Sequence, residues 1–180
     1  MEEKTNVWKT NMTNGVIMGT VGVIYSLFIY FFDLTFNQMQ GYVFMVIQVA
    51  LLAYLLKSYR DNYCFGNITY GQSVGAGVII CLYGAIISAV FAYFLYKDIA
   101  PELIGKMLAF AEETMLEKGV PQTAVDTGMA LQRKLMTPGI LALMSIFNNM
   151  FMGTIISLII SVFIKKEGNP LIDVPANEQI

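Results

Sequence analysis

Four long stretches without a charged residue constrain this chain more than any other feature of its sequence. They run from Thr10 to Phe32, from Leu34 to Leu56, from Asn62 to Tyr96 and from Leu135 to Ile164. A helix needs about 20 predominantly apolar residues to cross a bilayer, and each stretch can hold one. The chain is also 56% apolar, with a mean hydropathy of +0.60, well above the range of a soluble domain. The sequence therefore predicts an integral membrane protein.

The alternative is a soluble, all-helical protein whose buried helices are unusually apolar. A buried helix in a soluble bundle still turns one polar face to water. The segments from Val16 to Phe32 and from Val74 to Tyr96 are apolar on every side. The membrane interpretation is therefore the better one.

We predict an all-α fold, an integral membrane four-helix bundle with an amphipathic helical hairpin between the third and fourth spans. The spans cover about 14–32, 42–56, 73–96 and 138–164, and residues 1–166 form a single membrane domain. The first is expected to remain as a span and not to be cleaved as a signal peptide, because its apolar stretch is long and no A-x-A-like site follows. Residues 167–180, which include two prolines and few apolar residues, are predicted to be a mobile tail.

The hairpin, about 100–136, is the only sizeable charged region. Steps of 100° place apolar and charged residues on opposite sides of both of its helices. Pro101 and Pro121 suit first-turn positions, and Gly119 suits the end of the first helix. Two interpretations follow: the apolar faces dock on lipid or a partner, or they cover one another and the ends of the spans. The second is preferred.

The basic residues give an orientation. Lys4, Lys9, Lys57, Arg60, Lys165 and Lys166 all lie on one side of the four predicted spans, and the first loop has no Lys or Arg. By the positive-inside rule both termini are predicted to face the cytoplasm. Lys97 and the four basic residues of the hairpin lie on the other side and oppose this assignment.

Residues that could carry chemistry are scarce. The chain has no His, and none of the predicted spans contains an ionisable residue, so proton relays and charged-substrate sites have no obvious carriers. Cys64 and Cys81 form no C-x-x-C pair, which disfavours a zinc site. We predict no catalytic residue, no metal site and no cofactor. The net charge of −2 gives no basic footprint for nucleic acid, so none is expected as a partner.

Neutral polar residues and small residues within the spans are the remaining candidates. Neutral side chains commonly form hydrogen bonds between helices, and small residues four apart let helix backbones approach closely. Two adjacent amides point in different directions, so lining a polar cavity is the alternative to packing. The helix-packing or polar-cavity residues we single out are Gln48, Gly71, Gly75, Ser88, Asn148, Asn149, Gly153 and Ser157.

The order of features resembles an uncharacterised family of bacterial four-span membrane proteins, known as domain of unknown function 4199. The similarity lies in Gly66-Asn67-Ile68-Thr69-Tyr70-Gly71-Gln72 before the third span, Ile99-Ala100-Pro101 after it and Thr137-Pro138 at the start of the fourth. It extends over roughly Thr10 to Lys166. The resemblance implies a location in the inner membrane of a Gram-negative bacterium and brings no catalytic residues with it.

Three hypotheses on function follow. The first is a non-enzymatic membrane scaffold or assembly protein, whose partners are the lipid bilayer and a membrane protein or a second copy. The alternative is a small homo-oligomeric transporter or channel that uses Gln48 and the pair Asn148-Asn149. The weakest is a membrane enzyme that acts on lipid through Glu112, Glu113 and Glu117 of the hairpin.

Overall fold

The computed structural model describes residues 7–37 and 39–166, and these ranges are helical apart from their connections. The helices are α1 (Val7–Phe31), α2 (Met39–Tyr63), α3 (Tyr70–Phe94), α4 (Glu102–Glu117), α5 (Gln122–Leu135) and α6 (Pro138–Ile164), and a π-helical segment, Leu95–Ile99, extends α3. The predicted tail, 167–180, lies outside the described residues.

Four of these helices are long and apolar enough to cross a membrane: α1, α2, α6, and α3 with its π-helical extension. This confirms the all-α prediction with four apolar spans. Their limits differ from the predicted ones, most clearly for α2, which runs over 39–63 where the sequence suggested 42–56. Lys57 ends the uncharged stretch, but Lys57 and Arg60 are both good helix formers, so the helix continues past them.

Local signals fix the starts of α3 and α6. The Thr69 hydroxyl accepts a hydrogen bond from the backbone N–H of Gln72, and the Gln72 side chain accepts one from the backbone N–H of Thr69. This reciprocal arrangement satisfies two amides that a helix start leaves unpaired. Thr137 caps α6 in the same way through the N–H of Ile140, with Pro138 in the first turn.

Helix α3 is the centre of the packing. It has extensive contacts with both α1 and α6, whereas α2 contacts its neighbours sparsely. The buried residues of α2 all lie in its second half, at Leu52, Leu55, Leu56 and Tyr59. They form one apolar cluster with side chains of α3 and α6. The first half of α2 is therefore packed less closely against the other spans.

The end of the bundle beside Leu56 and Tyr59 is tied together by backbone contacts. Ile68 and Lys166 exchange two hydrogen bonds of 2.9 and 3.0 Å, and Arg60 Nη1 donates to the carbonyl of Ile164 at 3.1 Å. A cation at the C-terminus of a helix also complements the helix dipole. The connection between α2 and α3 is thereby held against the end of α6.

At the other end, α4 contacts the connection between α1 and α2. Leu103 is buried, the rings of Phe110 and Phe36 lie 5.1 Å apart, and Lys106 Nζ is 3.9 Å from Asp33 Oδ1. Helix α5 contacts α4, and its Val125 and Met129 are buried. The apolar faces of α4 and α5 are not fully covered, because Phe110, Leu116, Leu131 and Leu135 remain exposed.

Candidate functional site

The contact between α3 and α6 is formed by small residues in antiparallel register. Ser73 lies opposite Ser161, Gly77 opposite Ser157 and Cys81 opposite Gly153. These six residues are all buried and are called the α3–α6 seam below. A Cβ added to Gly153 would lie 2.6 Å from Cys81 Sγ, and one added to Gly77 would lie 2.9 Å from Ser157 Cβ. Of the predicted packing residues, Gly153 and Ser157 therefore lie in the contact between α3 and α6.

Gly71 and Gly75 lie outside this seam. Both are exposed, and a Cβ added to either would meet no heavy atom within 4 Å. The small residues of α3 that do pack on α6 are Ser73 and Gly77, two positions further on. Two residues correspond to a rotation of about 200° around a helix, which leads to nearly the opposite face. The structure thus places this predicted pair at no helix contact.

Four of the predicted residues surround one cavity in the middle of the bundle. Gln48 from α2, Ser88 from α3, and Asn149 and Gly153 from α6 all line it. Its volume is ≈ 20 Å³, about enough for one water molecule. These four residues therefore surround the same small space.

Two further cavities adjoin this one in the direction of α4. All three share Gly22 and Phe44 in their lining, and the second and third have volumes of ≈ 160 and ≈ 290 Å³. Leu103 and Met107 of α4 line the widest one. Together the three cavities form a crevice, called the polar crevice below, that widens from the bundle centre towards α4.

Among the residues that the structure describes, the lining of the polar crevice includes polar side chains and no charged one. Asn149 Nδ2 donates to the carbonyl of Ser145 at 2.9 Å, which leaves Asn149 Oδ1 free to accept. The amide of Gln48 and the hydroxyls of Ser26 and Ser88 also line the crevice, and all three residues are partly buried. The crevice therefore presents hydrogen-bond donors and acceptors within the bundle.

Asn148 is separated from this site. It is exposed on the outward side of α6, next to the exposed apolar side chains of Met144, Phe147 and Phe151. Its neighbour Asn149 points inward, because adjacent residues on a helix are about 100° apart. The two amides thus lie on different sides of α6: Asn148 on the outer surface and Asn149 in the crevice.

Several residues of these sites are not evident from the sequence. The polar lining also includes Tyr25, Ser26, Tyr96 and Ser145, and the seam includes Ser73, Gly77 and Cys81. The four-residue spacing of Ser73, Gly77 and Cys81 matches that of Gly153, Ser157 and Ser161, and could have identified the seam. Tyr25 and Ser26 have no comparable signal, since both lie among apolar residues of α1.

The acidic residues of α4 lie away from the crevice. Glu113 and Glu117 are exposed, Glu112 is partly exposed, and none lines the three cavities. Within the described part of the chain, no three His, Cys, Asp or Glu side chains lie close enough together to hold a metal ion.

A comparison with protein families finds one matching family model, described as a protein of unknown function (DUF4199), over residues 13–166. No curated protein and no protein of solved structure matches the chain.

Proposed function

We propose that this chain, which belongs to the DUF4199 family of proteins of unknown function, is a non-enzymatic membrane protein that assembles through the outward face of α6. The observation that supports this function is the lipid-facing amide of Asn148. The partner we propose is a second copy of the chain.

The depth of Asn148 makes its exposure costly. It lies ten residues after the start of α6, so its Cα is about 15 Å from that end of the helix. The surrounding exposed side chains are Met144, Phe147 and Phe151, and the closest charged residues in sequence are Lys134 and Lys165. An amide in hydrocarbon without a partner is strongly unfavourable. A hydrogen bond to another membrane-embedded helix removes this cost.

A second copy is the partner that the chemistry favours. An Asn side chain has both an acceptor oxygen and a donor nitrogen, so two Asn148 amides related by a two-fold axis can each donate and accept. The flanking Met and Phe side chains are large enough to bury apolar area around such a pair. The small residues of α6 are already used against α3, so the outward face is distinct from the α3–α6 seam.

We place the protein in a bacterial inner membrane with both termini in the cytoplasm. The family resemblance supports the membrane, and the basic residues Lys57, Arg60, Lys165 and Lys166 at one end of the bundle support the orientation. In a Cys64→Ser, Cys81→Ser background, Phe65→Cys and Lys118→Cys report on the two ends. A membrane-impermeant maleimide should label Phe65→Cys only in inside-out vesicles and Lys118→Cys only in right-side-out vesicles.

The test of assembly is the mass of the purified, full-length chain in mild detergent, measured by size exclusion with light scattering. The wild-type chain should be a dimer or a higher homo-oligomer, and Asn148→Leu should shift it to the monomer. Met144→Leu is the matched control on the same face, and it should leave the oligomer unchanged. A monomeric wild-type chain, or an Asn148→Leu variant with an unchanged mass, would contradict the proposal.

A second candidate function is a small transporter, for which the polar crevice is the specific support. It predicts that replacing Gln48 and Asn149 by Leu abolishes a flux without changing assembly. Leu52, which belongs to the same apolar cluster as Leu55 and Leu56, lines the crevice at its narrow end. A pathway through one chain would require these side chains to move, so assembly is the better supported function.

A further inference from the structure

We propose that the polar crevice is a binding site for one uncharged, hydroxyl-bearing molecule, with its polar group directed towards Gln48 and Asn149. This site lies on the inner side of α6 and is independent of the assembly surface at Asn148.

The chemistry of the lining selects the ligand class. The polar groups of the lining include the Gln48 amide and the Ser26 and Ser88 hydroxyls, which can both donate and accept hydrogen bonds, and Asn149 Oδ1, which can accept. Within residues 7–37 and 39–166, no charged side chain lines any of the three cavities. A charged ligand would lose its hydration at this depth without gaining a counter-ion. A neutral ligand with hydroxyl groups can form hydrogen bonds with these donors and acceptors without that cost.

The shape of the crevice gives the direction of binding. Its widest part, ≈ 290 Å³, lies beside α4 and is close to the lower limit of typical ligand pockets, about 300 Å³. The crevice then narrows through ≈ 160 Å³ to ≈ 20 Å³ at Gln48. A ligand therefore has its bulk in the wide part and its smallest polar group at the narrow end.

The wide part of the crevice is bounded by ordered side chains. The Tyr25 hydroxyl donates to the carbonyl of Gln40 at 2.6 Å, and the Tyr25 ring stacks on that of Phe44 with centroids 4.9 Å apart. These contacts join α1 to the first half of α2. Leu103 and Met107 of α4 cover the same space. The site thus exists in the folded chain and does not require a ligand to assemble it.

The sparse packing of α2 provides room for the apolar part of an amphiphile. The cavities are open at their edges, and along the first half of α2 the side chains of Tyr42, Val43 and Val46 are exposed. An acyl chain can lie along this apolar surface while the hydroxyl-bearing head occupies the crevice. A neutral glycerolipid and a free polyol share the head-group chemistry, and the experiment separates them.

The experiment uses the full-length chain in phosphatidylglycerol nanodiscs, with dioleoylglycerol as the lipid probe and free inositol as the soluble probe. Binding of the lipid is measured by native mass spectrometry, and binding of inositol by calorimetry. Gly22 lines all three cavities, and a Cβ there would lie 3.1 Å from Ser88 Oγ, so Gly22→Leu fills the crevice. Gly41→Leu is the matched control, because Gly41 has no heavy atom within 4 Å of its Cβ position.

We expect the wild-type chain and Gly41→Leu to bind one molecule of dioleoylglycerol or of inositol, and Gly22→Leu to lose that binding. Whichever probe binds identifies the source of the ligand. Gln48→Leu, which keeps the helix packing, should weaken binding about 3- to 10-fold through the loss of a hydrogen bond. The inference is overturned if neither probe binds the wild-type chain, or if Gly22→Leu and Gln48→Leu both bind as the wild type does.

Discussion

The Ser161 hydroxyl donates a hydrogen bond of 2.9 Å to the Ser73 hydroxyl, 88 residues earlier in the chain, and both side chains are fully buried. This bond fixes the register of the α3–α6 seam at one end. From it, the facing pairs follow every four residues: Gly77 with Ser157, then Cys81 with Gly153. Close approach of the backbones allows van der Waals packing and hydrogen bonds to stabilise the contact between α3 and α6. The hydrophobic effect does not drive helices together inside a bilayer.

The first prediction concerns this hydrogen bond. Ser73→Ala and Ser161→Ala should each destabilise the protein, and the double variant should be less destabilised than the sum of the two. Hydrogen bonds between membrane helices typically show coupling energies of about 0.6 kcal/mol and at most ~1.7 kcal/mol. A double-mutant cycle on the free energy of unfolding in mixed micelles measures this quantity. Strict additivity would show that the two hydroxyls do not interact.

The second prediction concerns the closeness of the seam. Gly77→Ala places a Cβ 2.9 Å from Ser157 Cβ, so α3 and α6 must move apart. Overpacking of this kind costs about 1–3 kcal/mol. Gly75→Ala, two residues away, adds its Cβ to open space and should leave stability the same or slightly higher, because Ala favours the helix. Thermal unfolding of the two variants in the same detergent makes the comparison, and equal losses would contradict the assignment of faces.

The sequence was sufficient for the four apolar spans and for the hairpin helices, because these depend on the absence of charge over 20 or more residues and on simple periodicity. It was not sufficient for the face that each helix turns inward. Gly75 and Gly77 both fit a small-residue spacing on α3, and only the position of α6 distinguishes them. In a soluble helix the polar side would have marked the outer face, but lipid-facing and buried residues are equally apolar here.

The polar residues of the spans also show that the sequence does not reveal which side of a helix faces inward. Asn148 and Asn149 are chemically identical, and the structure separates them into an outward and an inward residue. Gln48, Ser88 and Asn149 were singled out as isolated polar residues in spans, and they meet at one cavity. Their meeting could not be predicted, since it depends on how α2, α3 and α6 pack against one another.

The third prediction concerns the thiol of Cys64, in the connection after α2. Burial raises the pKa of Cys64 above its ordinary value of 9.0, because removal from water disfavours the charged thiolate more than the neutral thiol. At any pH below that value, the thiolate fraction is smaller than in an exposed cysteine. Alkylation by iodoacetamide at any pH below 9.0 should therefore be slower than that of an exposed cysteine, and its pH profile should be displaced to higher pH.

A cysteine at the neighbouring position is the control for this titration. Phe65 is 95% exposed, so Phe65→Cys in a Cys64→Ser, Cys81→Ser background should react with the pH dependence of an ordinary thiol. The rate for Cys64 is measured in a Cys81→Ser background, so that one thiol is present in each variant. Superimposable pH profiles for the two positions would show that Cys64 is not shielded.

The last prediction concerns the apolar cluster at the narrow end of the polar crevice. Leu52 is fully buried there and lines the ≈ 20 Å³ cavity. Leu52→Ala removes packing that the surrounding helices cannot fully restore, so the free energy of unfolding should fall by on the order of 2–5 kcal/mol. Leu143→Ala is the matched control: its side chain is 54% exposed, and lipid fills the space that the substitution leaves. If both variants lost the same stability, α2 would not be held to the bundle through Leu52, and the narrow end assigned to the crevice would be wrong.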